Sequence, residues 1–454
     1  MLTKTKRVDA TTGSIPRLIV LYTLPLIFST MIQTLFNAVD IVVLGNMADS
    51  SAVASVGATS TIIHLIVNTF IGLSSGTKVI MAQQVGAQDR EGARKTVDTS
   101  LVSALCIGFA VMALGLFLSP LFLQLTKCPQ DCYDGALLYI RIYVCAAPAI
   151  MIYNFGSSVI SSSGDTQRPM YYIIACGALN VVLNIILCLI LPQKVAAVAI
   201  ATAVSQYLGA FLILRRLCVM EGLGKVELFK MRWNPHSFGR IMRIGLPIAI
   251  SNALFPLANL QIQSAINSYG VSAVAGNSAA VTIEGFAAAF TSSFGATTST
   301  FMGQNLGADN RERVKGSFVN CLWICLACSI TVSVFLYVTG QFWLGIILPD
   351  DPLGVHYAMI RLFYVTLFYF VSGANSVISH GIQSFGYSVF TAANSITCVM
   401  GFRVLWMTFI YPKHENFHWL MACFLVSWVL MLIFNIVGFS VIYNRYRRGL
   451  YHKM

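Results

Sequence analysis

Two carboxylates stand inside long apolar runs of this 454-residue chain, Asp40 and Glu284; the other fifteen of its seventeen acids (17 − 2 = 15) lie in or near polar loops. A charge kept in hydrocarbon costs about 3 kcal/mol or more, so a retained one marks an ion or substrate path. A carboxylate suits proton or sodium coupling because it exchanges H⁺ or offers oxygen to a hard cation, and desolvation tunes it. Gln33, Asn37 and Asp40 are spaced by four and three residues, which puts them on one helical face. Asn180 and Asn184 form an i, i+4 pair, and Thr202 with Ser205 or Gln206 makes a similar polar strip in the next apolar run. These oxygens can complete a cation shell or link helices by hydrogen bonds.

A second set lies further along. Asn252, Asn259 and Gln263, spaced by seven and four, share a face that can line a cavity, and Asn277 precedes Glu284 by seven residues. Glu284 either faces that cavity or pairs with Arg403 in a structural salt bridge. His64 and His380 are expected to be packed or interfacial. No catalytic residue, resident cofactor or metal site is expected: a nucleophile constellation, a Gly-rich phosphate cradle and zinc-ligand spacing are all missing.

The elements that carry these residues follow from composition. With 57% apolar and 10% charged residues, against about a quarter charged in soluble domains, the chain reads as an all-α polytopic membrane protein. Apolar runs of about 20 residues or more predict twelve transmembrane helices, at about 17–45, 52–81, 97–123, 136–157, 170–191, 195–219, 241–268, 272–301, 317–342, 356–379, 389–411 and 417–443.

The net charge of +12 does not imply nucleic acid, because placement accounts for it. Of the 29 basic residues, 23 fall in segments on the side of the N-terminus. Lys127, Lys194 and Lys413 fall on the other side, and Arg141, Arg361 and Arg403 are left in or beside spans (29 − 23 − 3 = 3). Lys and Arg gather in cytoplasmic loops, so the expectation is a cell-membrane protein with both termini cytoplasmic. Most of the twelve cysteines sit in spans as packing; Cys128 and Cys132 fall in an outer loop where a disulfide can form if the compartment is oxidising.

The chain repeats itself. Met81-Ala82-Gln83-Gln84-Val85-Gly86-Ala87 followed by Arg90-Glu91 matches Met302-Gly303-Gln304-Asn305-Leu306-Gly307-Ala308 followed by Arg311-Glu312, at an offset of 221 (302 − 81). Leu24-Pro25 matches Leu246-Pro247, and Ile140-Arg141 matches Ile360-Arg361. Two pseudo-symmetric six-helix lobes are expected, 1–220 and 241–454, joined by a cytoplasmic linker at 221–240. Duplicated lobes around a midplane cavity suit secondary transport, and without an ATP motif the drive must be an ion gradient. Asn37 aligns with Asn259 but Asp40 with Ile262, which assigns ion coupling to the first half.

Taken in order and in both halves, Pro25, Asp40-Ile41-Val42-Val43-Leu44-Gly45, the twin loops, Ser163-Gly164-Asp165-Thr166 and Asn180 resemble the multidrug and toxic compound extrusion (MATE) transporters over the whole chain. The resemblance implies efflux of amphipathic, often cationic organic compounds in exchange for H⁺ or Na⁺. It carries the ion site onto Asp40, Tyr139, Asn180, Asn184 and Thr202. Gln33, Asn37, Asn259, Gln263 and Glu284 are the candidates for the substrate cavity. One position departs: the family's second acid in span five is Asn184 here. Partners are then small organic molecules and the bilayer, with the chain a monomer. A major-facilitator transporter and a lipid-linked glycan flippase are the alternatives. The first is weakened by the failed spacing of its loop motif at Gly86–Lys95, the second by a cavity poor in cations.

Overall fold

The computed structural model describes residues 7–47, 50–126 and 128–450; within these, the side chains at 37–42, 44–47, 50, 51, 257 and 258 are not described. The described residues form helices and no strand, as a bilayer demands of backbone that cannot bond to water. The first half runs α1 (Ile15–Met47), α2 (Ser50–Gly86), α3 (Arg90–Leu125), α4 (Gln130–Cys145), α5 (Ala147–Ser162), α6 (Gln167–Ile190) and α7 (Lys194–Val219). The second runs α8 (Pro235–Ser268), α9 (Val271–Gly307), α10 (Arg311–Val338), α11 (Gly340–Ile347), α12 (Pro352–Arg361), α13 (Tyr369–Ser384), α14 (Ser388–Ser395), α15 (Phe402–Leu405) and α16 (Phe417–Arg447). Among the described residues eleven helical stretches are long and apolar enough to cross a membrane, and twelve if the bent pair α4–α5 counts as one span.

Three of the expected spans are not plain α-helices. Span four breaks at Ala146, where α4 and α5 meet at 46°. Pro148, at the start of α5, has no N–H to donate to the preceding turn. Span ten passes from α12 through a π-helical turn, Leu362–Thr366, into α13. Span eleven carries two such segments, Ile396–Gly401 and Trp406–Ile410, on either side of the four-residue α15. Long π segments are rare and gather at functional positions.

The twin motifs are twin turns. Gln88 and Asp309 take left-handed backbone angles (φ 54° and 57°) just past α2 and α9. Asp89 N then donates to Gln84 O and Asn310 N to Asn305 O, both at 3.0 Å, the six-to-one bond that closes a Schellman turn. Asp89 next accepts from Gly92 N at 2.9 Å and Asn310 from Arg313 N at 3.1 Å, capping α3 and α10. The repeated residues therefore end one helix and start the next.

The chain divides into two compact units, one of residues 1–9 and 24–249, the other of 10–23 and 250–454. In the first, α2 and α8 cross at backbone distance: a Cβ on Gly72 would lie 2.4 Å from Ala249 Cα, and one on Gly245 would lie 2.5 Å from Leu73 O. Small residues permit such crossings in membranes, where dispersion and not water drives helix association. In the second, Arg313 donates to the carbonyls of Ala10, Thr12 and Gly13, and Gln304 Oε1 accepts from Ala10 N at 3.0 Å. Tyr22 and Thr23 then bond Thr300 and Thr297 at 2.9 and 2.8 Å.

Candidate functional site

In the first unit, α6 and α7 bring three of the sequence-derived ion-site residues into one chain of hydrogen bonds. Asn184 and Asn180 are one helical turn apart, and Asn184 Nδ2 donates to Asn180 Oδ1 at 3.2 Å. Asn180 Nδ2 donates across to Thr202 Oγ1 at 3.3 Å, and Thr202 Oγ1 donates to Val198 O at 2.9 Å. Both asparagines are buried. Tyr139 is buried in α4, its ring stacked on Tyr143 with centroids 6.3 Å apart. Gln33 is exposed on α1, whereas the side chains of Asn37 and Asp40 lie outside the described residues. The amide chain offers neutral dipoles that change partners at little cost.

In the second unit the packing of α9 on α12 builds a charged cluster. Gly276 lies against the Gly354 carbonyl with no room for a Cβ, so the two backbones touch. Arg361, seven residues past Gly354, then faces Asn277 and Glu284, one and eight residues past Gly276. Arg361 Nη1 donates to Asn277 Oδ1 at 2.8 Å, while Nε and Nη2 both reach Glu284 Oε2, at 3.1 and 2.8 Å. The side chains are only 8% and 13% exposed. Asn277 Nδ2 donates to Gln263 Oε1 at 3.3 Å, and Gln263 Nε2 donates to Asn267 Oδ1 at 3.0 Å.

This corrects the pairing considered from sequence: the partner of Glu284 is Arg361, not Arg403. Arg403 sits on α15, 1% exposed, and is held by neutral groups. Its Nη1 donates to Asn259 Oδ1 at 2.7 Å and its Nε to Ser427 Oγ at 3.2 Å. The Phe424 ring meets both arginines, its centroid 5.0 Å from Arg361 Cζ and 4.3 Å from Arg403 Cζ. Such cation–π contacts stabilise a buried guanidinium without neutralising it. Asn259, Gln263 and Glu284 are thus drawn into the two arginine assemblies of this unit.

Sequence reasoning missed several partners. Arg361 was visible as the twin of Arg141, but nothing in a linear pattern says which of two arginines a glutamate meets. A buried amide network, in which Asn435 Nδ2 donates to Asn375 Oδ1 at 2.9 Å and Asn394 Nδ2 to Asn435 Oδ1 at 2.8 Å, had only scattered asparagines as its signal. Asp98, counted with the loop acids, is buried in α3. All twelve cysteines are free, Cys128 and Cys132 included. Among the described residues no group of His, Cys, Asp or Glu could hold a metal ion.

Comparison with known proteins gives consistent matches. The family model MatE matches residues 25–186 and 247–407, well over half of the chain. The probable multidrug resistance protein YpnP of Bacillus subtilis is 26% identical over 387 residues, covering 84% of this chain and 85% of that protein. A crystal structure of a MATE protein in complex with MaL6 superposes with a TM-score of 0.88 at 21% identity, covering 97% of this chain and 98% of that one. A Pyrococcus furiosus transporter of the MOP superfamily, described as having a binding pocket of reversed polarity, superposes at 0.83 with 22% identity over the full length of both chains.

Proposed function

The chain belongs to the MatE family of transporters, multi-pass membrane proteins and not enzymes, and from that membership we propose that it is a secondary active exporter of amphipathic organic compounds, driven by antiport with H⁺ or Na⁺. The observation that carries this reading is the Asn184–Asn180–Thr202 hydrogen-bond chain in the unit whose first helix bears Asp40. The name of the Bacillus subtilis relative, a probable multidrug resistance protein, supports the substrate breadth.

In this mechanism an ion reaches Asp40 and removes or compensates its charge. The amides and the Thr202 hydroxyl then exchange partners, substrate affinity falls, and the compound leaves. Coupling requires the ion to bind two conformations unequally, because equal affinity shifts no equilibrium. With Asn184 in place of a second acid, a proton suits the site better than sodium: one carboxylate is neutralised by protonation but makes a poor all-oxygen cage. The basic asymmetry supports a cell-membrane location with both termini cytoplasmic, and we read the chain as a monomer. For cationic substrates the second unit is a poor host, since Glu284 already holds Arg361.

Ethidium and neutral-dye efflux from proteoliposomes under separately imposed H⁺ and Na⁺ gradients tests the proposal. Dye movement that follows one gradient and collapses with it is expected; movement indifferent to both would overturn antiport.

A further inference from the structure

We propose that Arg403 is the binding point for an anionic oxygen group on the compounds this protein moves; this rests on the transport reading above and concerns the charge of the substrate. The second unit buries two arginines, Arg361 and Arg403, but the one carboxylate among their described partners, Glu284, is taken by Arg361. Arg403 is left with an amide oxygen, a hydroxyl and two aromatic faces, so its charge has no counterion among the described residues. Its Nη2 is buried and meets no hydrogen-bond acceptor there. An uncompensated charge in a membrane protein is costly, and the cost is offset when a ligand supplies the opposite charge.

A purely structural role would use what the side chain already does. Nε and Nη1 tie α15 to α16 and α8 through Ser427 and Asn259, and a neutral donor could make those bonds equally well. That role leaves the charge and Nη2 unused.

The surroundings fit a ligand instead. A narrow cleft, with free room for about one water molecule, opens between α8 and the turn preceding α15, lined by Ser251, Leu254, Phe255, Ser395, Val399 and Met400 among others. Phe255 belongs both to this cleft and to the arginine, its ring 5.7 Å from Arg403 Cζ, and it is 41% exposed. An amphipathic compound that widens this cleft would rest its apolar part on Leu254, Val399 and Met400 and turn its anionic end past Phe255 to Nη2. The π segments on either side of α15 give this stretch a backbone in which bonds can shift register by one residue, which suits a group that must be reached and then left.

The test uses the purified full-length protein in nanodiscs of net-neutral phosphatidylcholine. Fluorescence anisotropy reads binding of carboxyfluorescein, an anion, and rhodamine 6G, a cation built on the same ring system. The native protein should prefer carboxyfluorescein. Arg403→Gln should weaken its binding at least about tenfold, as expected for losing a charge-assisted hydrogen bond, and Arg403→Lys should retain most of it. Should Arg403→Gln fail to fold, Asn259→Asp sets a carboxylate against Nη1 and cancels the charge with the arginine intact; it too should erase the preference. Native protein that does not bind carboxyfluorescein, or Asn259→Asp that binds it unchanged, overturns the inference. Charge-dependent binding without gradient-driven transport of any dye would support the anion site and overturn the transport reading. Equal transport of carboxyfluorescein by native and Asn259→Asp protein would overturn the site and leave transport standing.

Discussion

Arg361 grips a single oxygen of Glu284 through two nitrogens, Nε at 3.1 Å and Nη2 at 2.8 Å, and spends its remaining terminal nitrogen on Asn277. The acid that the sequence left either facing a cavity or paired with Arg403 is therefore half of a buried ion pair with Arg361.

Glu284→Gln should act on stability before it acts on selectivity. Removing one member of a buried pair leaves the other charge uncompensated, at a cost of roughly 3–5 kcal/mol. The variant should melt earlier in detergent and lose export of cationic and neutral dyes alike. The double variant Glu284→Leu/Arg361→Met, which replaces the pair by apolar side chains of similar size, should recover much of the melting temperature. A single variant with native stability and a loss confined to cationic dyes would show that Glu284 serves the substrate directly.

Asp40→Asn should abolish gradient-driven efflux while leaving expression and substrate binding measurable. The amide keeps the shape and removes the titratable charge, so coupling goes and folding stays. Full efflux by a well-expressed variant, with unchanged dependence on pH and Na⁺, would refute Asp40 as the coupling group.

Asn184→Asp should introduce or strengthen a dependence on Na⁺. The substitution adds a second carboxylate one turn from Asn180 and beside its amide oxygen, and a hard cation gains most from charged oxygens. Dye efflux titrated with Na⁺ at fixed pH reads the effect; no change in Na⁺ response would place the ion elsewhere.

Gly72→Val should fail by crowding. A Cβ there would sit 2.4 Å from Ala249 Cα, inside any permitted contact, so α2 and α8 must part. Overpacking of this kind costs about 1–3 kcal/mol or more, read as a lower yield of monodisperse protein and an earlier melt. Gly57→Val in the same helix, where an added Cβ would meet no described atom within 4 Å beyond its own helix backbone, is the control and should behave as native.

Much of this was legible in the sequence, and the legible part is the part that depends on local period and composition. Runs of apolar residues long enough for a bilayer announce their spans because lipid cannot hydrogen-bond a backbone. Asn180 and Asn184 share a face because four residues are about one helical turn, and Thr202 in the next apolar run proved to be within reach. The twin loops were recognisable as a repeat, and their chemistry, a left-handed residue followed by a side-chain cap, is local as well.

Tertiary structure decided the rest. Whether Glu284 meets Arg361 or Arg403 turns on which helix lies against α9, and that is settled by Gly276 and Gly354 letting α9 and α12 touch backbone to backbone. The spacing of 77 residues between Glu284 and Arg361 carries no trace of that contact. The break at Ala146 had Pro148 as a signal, but the π segments around Arg403 had none, since they arise from bonds that slip by one residue. A charge's partner is a property of helix packing and not of sequence order, so the chain alone could place Arg361, Arg403 and Glu284 in or beside spans of its second half but not say which arginine would be left without a counterion.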